Sequence, residues 1–268
     1  MVKVAIIGAS GRMGAELIEV VAASEHAKLV AAITHKSSAA LGQDVGTYNN
    51  KPAIGLTFSS DLTAAAKAAD VLVDFSLPAA LADNLAAAVQ QKKPIVVCTT
   101  GLNDRQNSEM KAAAEKTAVL YAANTSLGVN LLMSLVRTAS RALGTGCDIE
   151  IFEAHHTAKR DAPSGTALAL GEAAASGRGQ KLSEVAEYQR NFDSNPHQPG
   201  SIGFATIRGG DIVGEHTVYL VAGAERLELT HRVASRQTFA AGALNAASWV
   251  VAKKAGLYQM KHVLGLDD

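Results

Sequence analysis

The chain has 268 residues with 25 basic and 25 acidic side chains, so its formal net charge at pH 7 is zero. This balance gives no electrostatic reason to expect a nucleic acid or an anionic membrane as a partner, and the length suffices for two domains. The apolar run at the N-terminus is too short for a signal-peptide core, and no apolar stretch is long enough to span a bilayer, so we expect a cytoplasmic location.

The first predicted elements are a strand, a glycine-rich turn and a helix in direct succession. Residues 2–7 form an apolar run of the buried-strand type, and residues 15–21 have helical character. Gly8, Gly11 and Gly14 lie between them, and such a loop lets a pyrophosphate approach backbone N–H groups at the start of a helix. We therefore predict a dinucleotide site whose loop residues are Gly8, Ala9, Ser10, Gly11, Arg12 and Met13.

The second predicted strand, residues 28–33, ends without the acidic residue that NAD-selective proteins usually have at this point. Thr34, His35 and Lys36 follow it instead. His35 and Lys36 suit contact with a 2′-phosphate, and simple solvation of both side chains is equally compatible with the sequence. We therefore expect NADPH, NADH or both as the cofactor.

The next strands and helices alternate along the chain. Strands are predicted over residues 71–75, 95–98 and 119–122, with helices over residues 79–90 and 105–116. Such alternation predicts a parallel sheet covered by helices on both faces, with ligands bound across the carboxyl ends of its strands. The candidate cofactor-binding residues at these ends are Phe75, Thr99, Thr100, Ala122, Ala123, Asn124 and Thr125.

The second half has a different pattern. Residues 130–143 predict a helix that ends at Gly144, residues 148–154 predict a strand, and residues 176–200 are expected to form loops. Three strand-like runs follow, joined by glycine-containing turns at residues 209–211 and 222–224; the runs are residues 201–208, 212–221 and 226–233.

A last helix over residues 238–254, with Thr238 as its N-cap, is expected to return to the first domain. The predicted fold class is therefore α/β, with a Rossmann-type dinucleotide-binding domain over residues 1–126 and 237–268. The second domain, residues 127–236, is predicted to be an α+β domain with a largely antiparallel, open sheet that serves substrate binding and oligomerisation.

Residues 153–166 contain the densest group of chemically active side chains in the sequence. Two histidines, a lysine and an arginine lie within residues 155–160, and a Pro-Ser-Gly-Thr sequence then opens an apolar helical stretch. A helix start of this kind presents unpaired N–H groups to an anion, with Ser164 or Thr166 as its cap. Proton donors beside an anion site suit protonation chemistry on a carboxylated substrate.

Two other interpretations of this segment were weighed. A basic run of this kind is often only a solvated loop. Neighbouring histidines also raise the possibility of a metal site, but His155 and His156 point to opposite sides of an extended chain, and neither an HExxH motif nor a nearby cysteine pair is present. We therefore expect no metal.

These residues make the sequence similar to the 4-hydroxy-tetrahydrodipicolinate reductase family, also called dihydrodipicolinate reductases, of bacterial lysine and diaminopimelate synthesis. The resemblance covers nearly the whole chain. Its most specific motif is Glu-Ala-His-His-x-x-Lys-x-Asp-Ala-Pro-Ser-Gly-Thr at residues 153–166. Supporting motifs lie at residues 8–14, 99–101, 122–124 and 208–216.

The resemblance implies transfer of a hydride from NADH or NADPH to the ring that forms when the hydroxylated substrate loses water. It implies that His155 is a general acid–base residue and that Lys159 donates a proton. The same resemblance adds Cys98 to the residues that would bind the cofactor, and it implies a homotetramer built through the sheet of the second domain. The residues that would bind the small dicarboxylate substrate are His156, Ser164, Gly165 and Thr166.

Three positions depart from the pattern of the family. Cys98 stands where many members have glycine, Thr125 where a phenylalanine is common, and Thr34-His35 where a Glu-Arg pair is usual. The third departure weakens the expectation of a preference for NADH. Two other functions share the predicted cofactor fold: a different two-domain dehydrogenase, and a non-catalytic protein that senses dinucleotides.

Overall fold

A computed structural model describes residues 1–190 and 197–266 of the chain. The chain divides into two compact units, Met1–Ser126 together with Arg236–Asp268, and Leu127–Ser235. Part of the loop expected over residues 176–200, namely residues 191–196, lies outside the described residues. No helix in the described ranges is long and apolar enough to cross a membrane.

The first unit contains a parallel sheet. Its described strands follow the spatial order β12-β6-β5-β4-β1-β2-β3, and every neighbouring pair is parallel. The order turns back on itself between β1 and β4, which is where ligands bind in sheets of this type. The strands are β1 (Val2–Ile7), β2 (Ala27–Ile33), β3 (Phe58–Ser59), β4 (Val71–Asp74), β5 (Ile95–Val97), β6 (Ala118–Tyr121) and β12 (Gly256–Gln259).

Both faces of this sheet are buried. Ala5 and Ile7 of β1 share a core cluster with residues of α3, α4 and α5, while Ile6, which points the other way, is equally buried. Helix α9 contacts β4, β5 and β6 and packs on α1. The helices of this unit are α1 (Arg12–Ala22), α2 (Val45–Tyr48), α3 (Leu62–Ala68), α4 (Leu81–Gln90), α5 (Asp104–Ala114), α9 (Gln237–Val250) and α10 (Met260–Val263).

The strands predicted for this unit are confirmed to within one residue at each end. Apolar runs of four to seven residues mark them clearly because both faces of a parallel sheet are buried. β3 and β12 were not predicted. β3 has two residues, and β12 has alternating burial at the edge of the sheet, so neither gives an apolar run.

The second unit contains a mixed sheet with the described order β11-β10-β7-β9-β8. β10 is antiparallel to β7 and β11, whereas β9 is parallel to β7 and β8. Helices α6 (Leu127–Leu143) and α7 (Gly165–Gly177) pack on one face, and the short α8 (Leu182–Val185) contacts α7. The strands are β7 (Asp148–His155), β8 (Ala186–Glu187), β9 (Ile202–Arg208), β10 (Gly214–Ala222) and β11 (Glu225–Val233).

The expected largely antiparallel arrangement is therefore correct only in part. The hairpin of β10 and β11 forms as predicted, but the turn at residues 209–211 does not pair β9 with β10, because β7 lies between them. The N–H of Gly209 donates to the carbonyl of His155 at the end of β7, 2.9 Å away. Strand periodicity reports which face is buried but not which strand is the neighbour, so this crossover was invisible in the sequence.

The predicted capping of the last helix was also wrong. α9 begins at Gln237 with Arg236 as its N-cap and without a side-chain hydrogen bond at that cap among the described residues. Thr238 lies inside the first turn. The helix ends at Val250 rather than at residue 254, and it belongs to the first unit.

Candidate active site

The buried face of β7 changes from apolar to polar along its length. Ile149, Ile151, Glu153 and His155 alternate along the strand and point to the same side. The two isoleucines belong to the core of the second unit, whereas the next two positions place a carboxylate and an imidazole in line with that core. Glu153 is 1% exposed and His155 is 8% exposed.

Glu153 receives hydrogen bonds on both carboxylate oxygens. Arg208 of β9 forms a two-pronged pair with it, Nη1 to Oε2 and Nη2 to Oε1, both at 2.8 Å. His155 Nδ1 lies 2.6 Å from Oε2. The backbone N–H of Ser164 donates to Oε1 at 3.0 Å, and the hydroxyl of Thr206 donates to the same oxygen at 3.2 Å.

These contacts keep Glu153 charged. Burial raises the pKa of the Glu153 carboxyl, but hydrogen bonds from Arg208, His155 and the Ser164 N–H outweigh burial and lower it below its ordinary value. An ionised carboxylate only accepts hydrogen bonds. The shared proton on His155 therefore resides on Nδ1, and its Nε2 is the nitrogen left for a substrate.

His155 has a pKa below that of an ordinary histidine. Burial lowers this pKa most, the hydrogen bond and the charge of Glu153 raise it, and the positive charges of Lys159 and Arg208 lower it. A Cβ at Gly214 would come within 3.2 Å of His155 Nε2, so glycine at this position keeps the space beside that nitrogen open.

Lys159 forms an ion pair with Asp161. Its Nζ lies 2.9 Å from Asp161 Oδ2, and the lysine side chain is largely buried while the aspartate is exposed. Burial raises the pKa of Asp161, but the hydrogen bond from Lys159 and other contacts lower it below its usual value. The candidate proton donor is thus held in place by a carboxylate two residues away, with the Lys159 N–H donating to the carbonyl of His156 at 3.1 Å.

The start of α7 lies beside this cluster, as the sequence indicated. Of the two predicted caps, Ser164 is the N-cap: its Oγ accepts the N–H of Ala167 at 3.1 Å. A Cβ at Gly165 would meet no described atom within 4 Å, so the space at that point is open, while the Gly165 N–H donates to the carboxylate of Asp161. Thr166 follows in the first turn of α7.

His216 of β10 completes the polar cluster. Its Nε2 lies 3.0 Å from Ser164 Oγ, and its ring meets the His155 ring edge to face at 5.1 Å between centroids. Burial, with a contribution from the charge of His155, lowers the pKa of His216 to about 4, so this ring is neutral at neutral pH. Its buried Nδ1 has no hydrogen-bond partner among the described residues.

Four members of this cluster were not predicted from the sequence. Glu153, Asp161, Arg208 and His216 lie inside the quoted motifs but had no assigned role. The signal for Glu153 was its position two residues before His155, which puts both side chains on one face of a strand. Arg208 and His216 gave no such signal, because pairing of β9 and β10 with β7 brings them there.

The first unit contains the predicted glycine loop. Gly8 has φ of 77°, and a Cβ there would lie 2.7 Å from the carbonyl oxygen of Phe75. A Cβ at Gly14 would lie 2.5 Å from the carbonyl oxygens of Gly8 and Ala9. Gly11 is the N-cap of α1, and as a glycine it has no side chain that could cap the helix. Within the described residues the N–H groups of Arg12 and Met13 are therefore available to an anion.

The position after β2 lies against this loop. Ser10 Oγ and Thr34 Oγ1 are 2.6 Å apart. His35 and Lys36 are exposed, and His35 Nδ1 lies 2.6 Å from the hydroxyl of Ser37. The structure thus brings Thr34 to the glycine loop and leaves the two basic side chains in solvent.

A buried polar network fixes the turn after β4. Asp74 is fully buried and accepts hydrogen bonds from the N–H of Ser76 at 2.8 Å and from Asn84 Nδ2 at 2.9 Å. The hydroxyl of Thr99 donates to the carbonyl of Ser76 at 3.1 Å. Phe75 is half-buried within this turn, and Thr100 is exposed beyond it.

Two predicted cofactor residues direct their side chains inward. Cys98 is buried, and burial raises the pKa of its thiol well above the ordinary value. Thr125 is 2% exposed and donates its hydroxyl to the carbonyl of Phe239 at 2.6 Å. Near Thr125, Ala122 is buried, Ala123 is exposed and Asn124 Oδ1 accepts the N–H of Ser126 at 2.9 Å. Cys98 and Thr125 can therefore offer a ligand only their backbone.

No metal-binding group of three or more His, Cys, Asp or Glu side chains occurs in residues 1–190 and 197–266. The carboxylate of Glu153 instead accepts hydrogen bonds from Arg208 and from the Ser164 N–H, and His155 hydrogen-bonds to the same carboxylate.

Family models match almost the whole chain. The N-terminal model of dihydrodipicolinate reductase covers residues 2–125, and the C-terminal model covers residues 128–264. The chain belongs to the dihydrodipicolinate reductase family.

Curated relatives agree with this assignment. A 4-hydroxy-tetrahydrodipicolinate reductase from Pseudoalteromonas atlantica is 49% identical over 266 residues, which is 99% of this chain and 100% of the relative. The Zymomonas mobilis protein of the same name is 48% identical over 265 residues, 99% of this chain and 98% of that one.

Solved structures show the same fold. A dipicolinate-bound dihydrodipicolinate reductase from Paenisporosarcina sp. TG-14 is 25% identical, covers 97% of both chains and superposes with a TM-score of 0.77. An amine dehydrogenase from Mycobacterium smegmatis superposes with a TM-score of 0.65 at 14% identity, over 97% of this chain and 95% of its own. The second likeness extends to the fold alone.

Membership of the dihydrodipicolinate reductase family confirms three predictions made from the sequence. The chain is an oxidoreductase, its step is the reductase step of lysine and diaminopimelate biosynthesis, and its cofactor is NAD(P)H. Membership of the family also explains why the chain has both the glycine loop after β1 and the histidine motif at the end of β7. A different two-domain dehydrogenase or a dinucleotide sensor would need the glycine loop but not the histidine motif.

Proposed function

We propose that the first unit binds NADPH or NADH and that the second unit binds 4-hydroxy-tetrahydrodipicolinate and supplies the proton for its reduction to tetrahydrodipicolinate with loss of water. The observation that carries this proposal is the arrangement at the end of β7. There, the imidazole of His155 is buried and fixed through Nδ1 by Glu153, beside the capped start of α7.

The glycine loop fits a dinucleotide. Gly8 and Gly14 allow α1 to start against β1 where any side chain would collide with the backbone, and the uncapped start of α1 offers N–H groups to a pyrophosphate. When bound, the dinucleotide supplies the hydride. The residues proposed to hold it are Gly8 to Met13, Thr34 to Lys36, Phe75, Cys98 to Thr100 and Ala122 to Thr125, with Cys98 and Thr125 contributing backbone atoms.

The start of α7 is proposed to hold the carboxylates of the substrate. Gly165 leaves open space where a Cβ would lie, and the positive end of the helix dipole at the start of α7 attracts anions. Thr166 adds a hydroxyl in the same turn, and His156 adds a ring from the preceding loop. Ser164 acts mainly as the cap, since its Oγ already contacts Ala167 N and His216.

The proton is proposed to come from His155 and Lys159. Addition of a hydride to a conjugated imine leaves negative charge that a proton must neutralise. His155 presents Nε2, because Glu153 occupies Nδ1. Lys159 adds positive charge that attracts a dicarboxylate, and Asp161 holds its ammonium group in place.

The open face of the second sheet is proposed to form a homotetramer. α6 and α7 cover the face that carries Ile149 and Ile202, and alternation places Phe152, Ile207 and Tyr219 on the opposite face. Apolar side chains on an open sheet are usually buried against a partner.

We also propose a cytoplasmic location, where both free, buried cysteines, Cys98 and Cys147, remain reduced.

The proposed reaction is tested by mixing the purified chain with NADPH and the condensation product of pyruvate and aspartate semialdehyde. The absorbance of NADPH should fall only when all three are present. Oxidation of NADPH with a different small acid, but not with this product, would point to another dehydrogenase. Tight NADPH binding without turnover of any such substrate would favour the dinucleotide sensor.

A further inference from the structure

Glu153 stands where the fold would ordinarily place an apolar side chain. It follows Ile149 and Ile151 on the same face of β7, and both isoleucines are fully buried. A buried carboxylate is costly unless hydrogen bonds replace its water. The chain replaces that water completely, since both oxygens are occupied by donors from β7, β9 and the start of α7.

The geometry of this set leaves His155 little freedom. Arg208 holds both oxygens of Glu153 through its planar fork, and Thr206 and the Ser164 N–H hold one oxygen as well. These donors fix the plane of the carboxylate without any contribution from the imidazole of His155. A carboxylate fixed in this way orients the ring of His155 and sets which nitrogen carries the proton.

Burial and charges of both signs act on His155. Burial disfavours the imidazolium form, Glu153 favours it, and Lys159 and Arg208 disfavour it. His216 is neutral at neutral pH and packs edge to face on the ring. The remaining titratable groups near this cluster are Asp161, which pairs with Lys159, and His231, which lies opposite His216 in the β10–β11 ladder.

We propose that Glu153 and Arg208 act together as positioning residues for His155, with Glu153 fixing the Nδ1–H tautomer and Arg208 holding Glu153 and offsetting its charge. This inference rests on the proposed role of His155 as an acid–base residue. It assigns to the Glu153–Arg208 pair no contact with substrate or cofactor.

The pair makes opposite predictions for two substitutions. Glu153→Gln removes the negative charge and leaves Arg208 and Lys159 unopposed, so the pKa of His155 should fall further. Arg208→Gln removes one of the two positive charges that oppose Glu153, so the pKa of His155 should rise. Arg208→Lys keeps the charge but loses the fork, so the pKa should change little while the ring loses its fixed orientation.

The direct measurement is a pH titration of the His155 ring by NMR, with its signals identified by their absence in His155→Gln. The ¹⁵N shifts should show the Nδ1–H tautomer in the wild type. Glu150→Gln is the matched control, because Glu150 lies on the same strand and pairs with Arg190 at 2.6 Å but does not contact His155. It should leave the titration of His155 unchanged.

Steady-state kinetics across pH provide the second measurement. For an acid that must be protonated, a lower pKa moves the loss of activity to lower pH, so Glu153→Gln should move the alkaline limb of kcat in that direction and Arg208→Gln should move it the opposite way. At neutral pH, Glu153→Gln should lower kcat roughly 10- to 100-fold, which is less than the roughly 10²–10⁴-fold contribution of a positioned acid–base group because the imidazole is still present. The KM for NADPH should stay within about threefold, because the pair is assigned no cofactor contact.

The outcomes separate this inference from the proposed function. An Nε2–H tautomer in the wild type, or shifts of the same sign in Glu153→Gln and Arg208→Gln, would overturn the inference even if His155 is essential. If Glu153→Gln does not fold, the tautomer of the wild type and the direction of the His155 pKa shift in Arg208→Gln still decide. Full activity of His155→Gln would overturn the proposed role of His155, while the NMR titration would still report on the pair.

Discussion

At the scale of the residue, the side chains that follow β2 are expected to determine the preference between NADPH and NADH. Thr34 lies 2.6 Å from Ser10 of the glycine loop, and His35 and Lys36 are exposed beside it. A carboxylate here would bind the ribose hydroxyls and repel a 2′-phosphate, whereas a cation attracts that phosphate. One exposed charge pair contributes about 1 kcal/mol or less.

We therefore expect binding of NADPH to be equal to or tighter than binding of NADH, by less than about tenfold. Lys36→Glu should weaken NADPH binding and leave NADH binding nearly unchanged. Lys28→Glu is the control, because Lys28 is exposed at the opposite end of the same strand. Fluorescence titrations of both cofactors with the three proteins decide the matter, and much tighter NADH binding by the wild type would refute the expectation.

Individual residues of the site differ in how far the sequence revealed them. His155, Lys159 and Ser164 lie in one continuous motif, so local spacing was sufficient to find them. Arg208 is 55 residues from Glu153 and reaches it only because β9 pairs with β7 in parallel. Thr125 shows the reverse: its place at the end of β6 suggested a ligand contact, but its hydroxyl is used by Phe239.

At the scale of the element, α9 depends on a glycine for its place against the first sheet. A Cβ at Gly242 would lie 1.8 Å from the carbonyl oxygen of Thr125, a backbone atom that cannot move aside easily. Ala240 before it and Ala243 and Ala246 after it are fully buried. Small side chains therefore set the closeness of α9 to the strands.

Gly242→Ala should destabilise the protein by roughly 2–3 kcal/mol, the usual cost of overpacking a core. In a chain of this size this corresponds to a fall of about 5–10 °C in the midpoint of thermal unfolding. Gly146→Ala is the control, because a Cβ there meets no described atom within 4 Å. Equal unfolding midpoints for the two variants in differential scanning calorimetry would show that α9 tolerates the added methyl group.

The elements also show where reasoning from the sequence ends. Buried strands of the first sheet are continuous apolar runs, so their bounds were predicted to within a residue. The alternating runs of the second sheet were found too, but their order was not, because an alternating pattern is satisfied by any neighbour that buries the same face. The end of α9 was misplaced because Ala252 and the two lysines after Val250 are compatible with a helix but do not continue it.

At the scale of the whole molecule, the second sheet leaves apolar side chains on the face away from α6 and α7. Ile207 is 47% exposed there, and Phe152 and Tyr219 are only half-buried. Burial of such a face by other copies of the chain stabilises the assembly in proportion to the apolar area removed from water. This is the physical basis for the proposed homotetramer.

Light scattering should therefore report a mass of four chains at micromolar concentration. Ile207→Glu should shift the mass toward smaller species, because it places a charge on the proposed contact face. Ile54→Glu, at an exposed apolar position of the first unit, should leave the mass unchanged. A stable monomer of the wild type at micromolar concentration would contradict the tetramer.

The proposed reaction of the whole molecule depends on the proton donors at the end of β7. His155→Ala and Lys159→Ala should each lower kcat by roughly 10²–10⁴-fold, the usual contribution of a positioned acid–base group. Binding of NADPH should not change, because the glycine loop belongs to the first unit. Thr166→Val should mainly raise the KM of the dicarboxylate, because its hydroxyl is proposed to bind a carboxylate in the ground and transition states alike.

The one measurement that tests this most directly is steady-state kinetics of these variants beside Arg160→Ala, which removes an exposed cation from the same loop. The account predicts near wild-type activity for Arg160→Ala and the losses above for His155→Ala and Lys159→Ala, each with unchanged NADPH affinity. Full activity of both His155→Ala and Lys159→Ala would show that this segment is only a basic loop and would contradict the account.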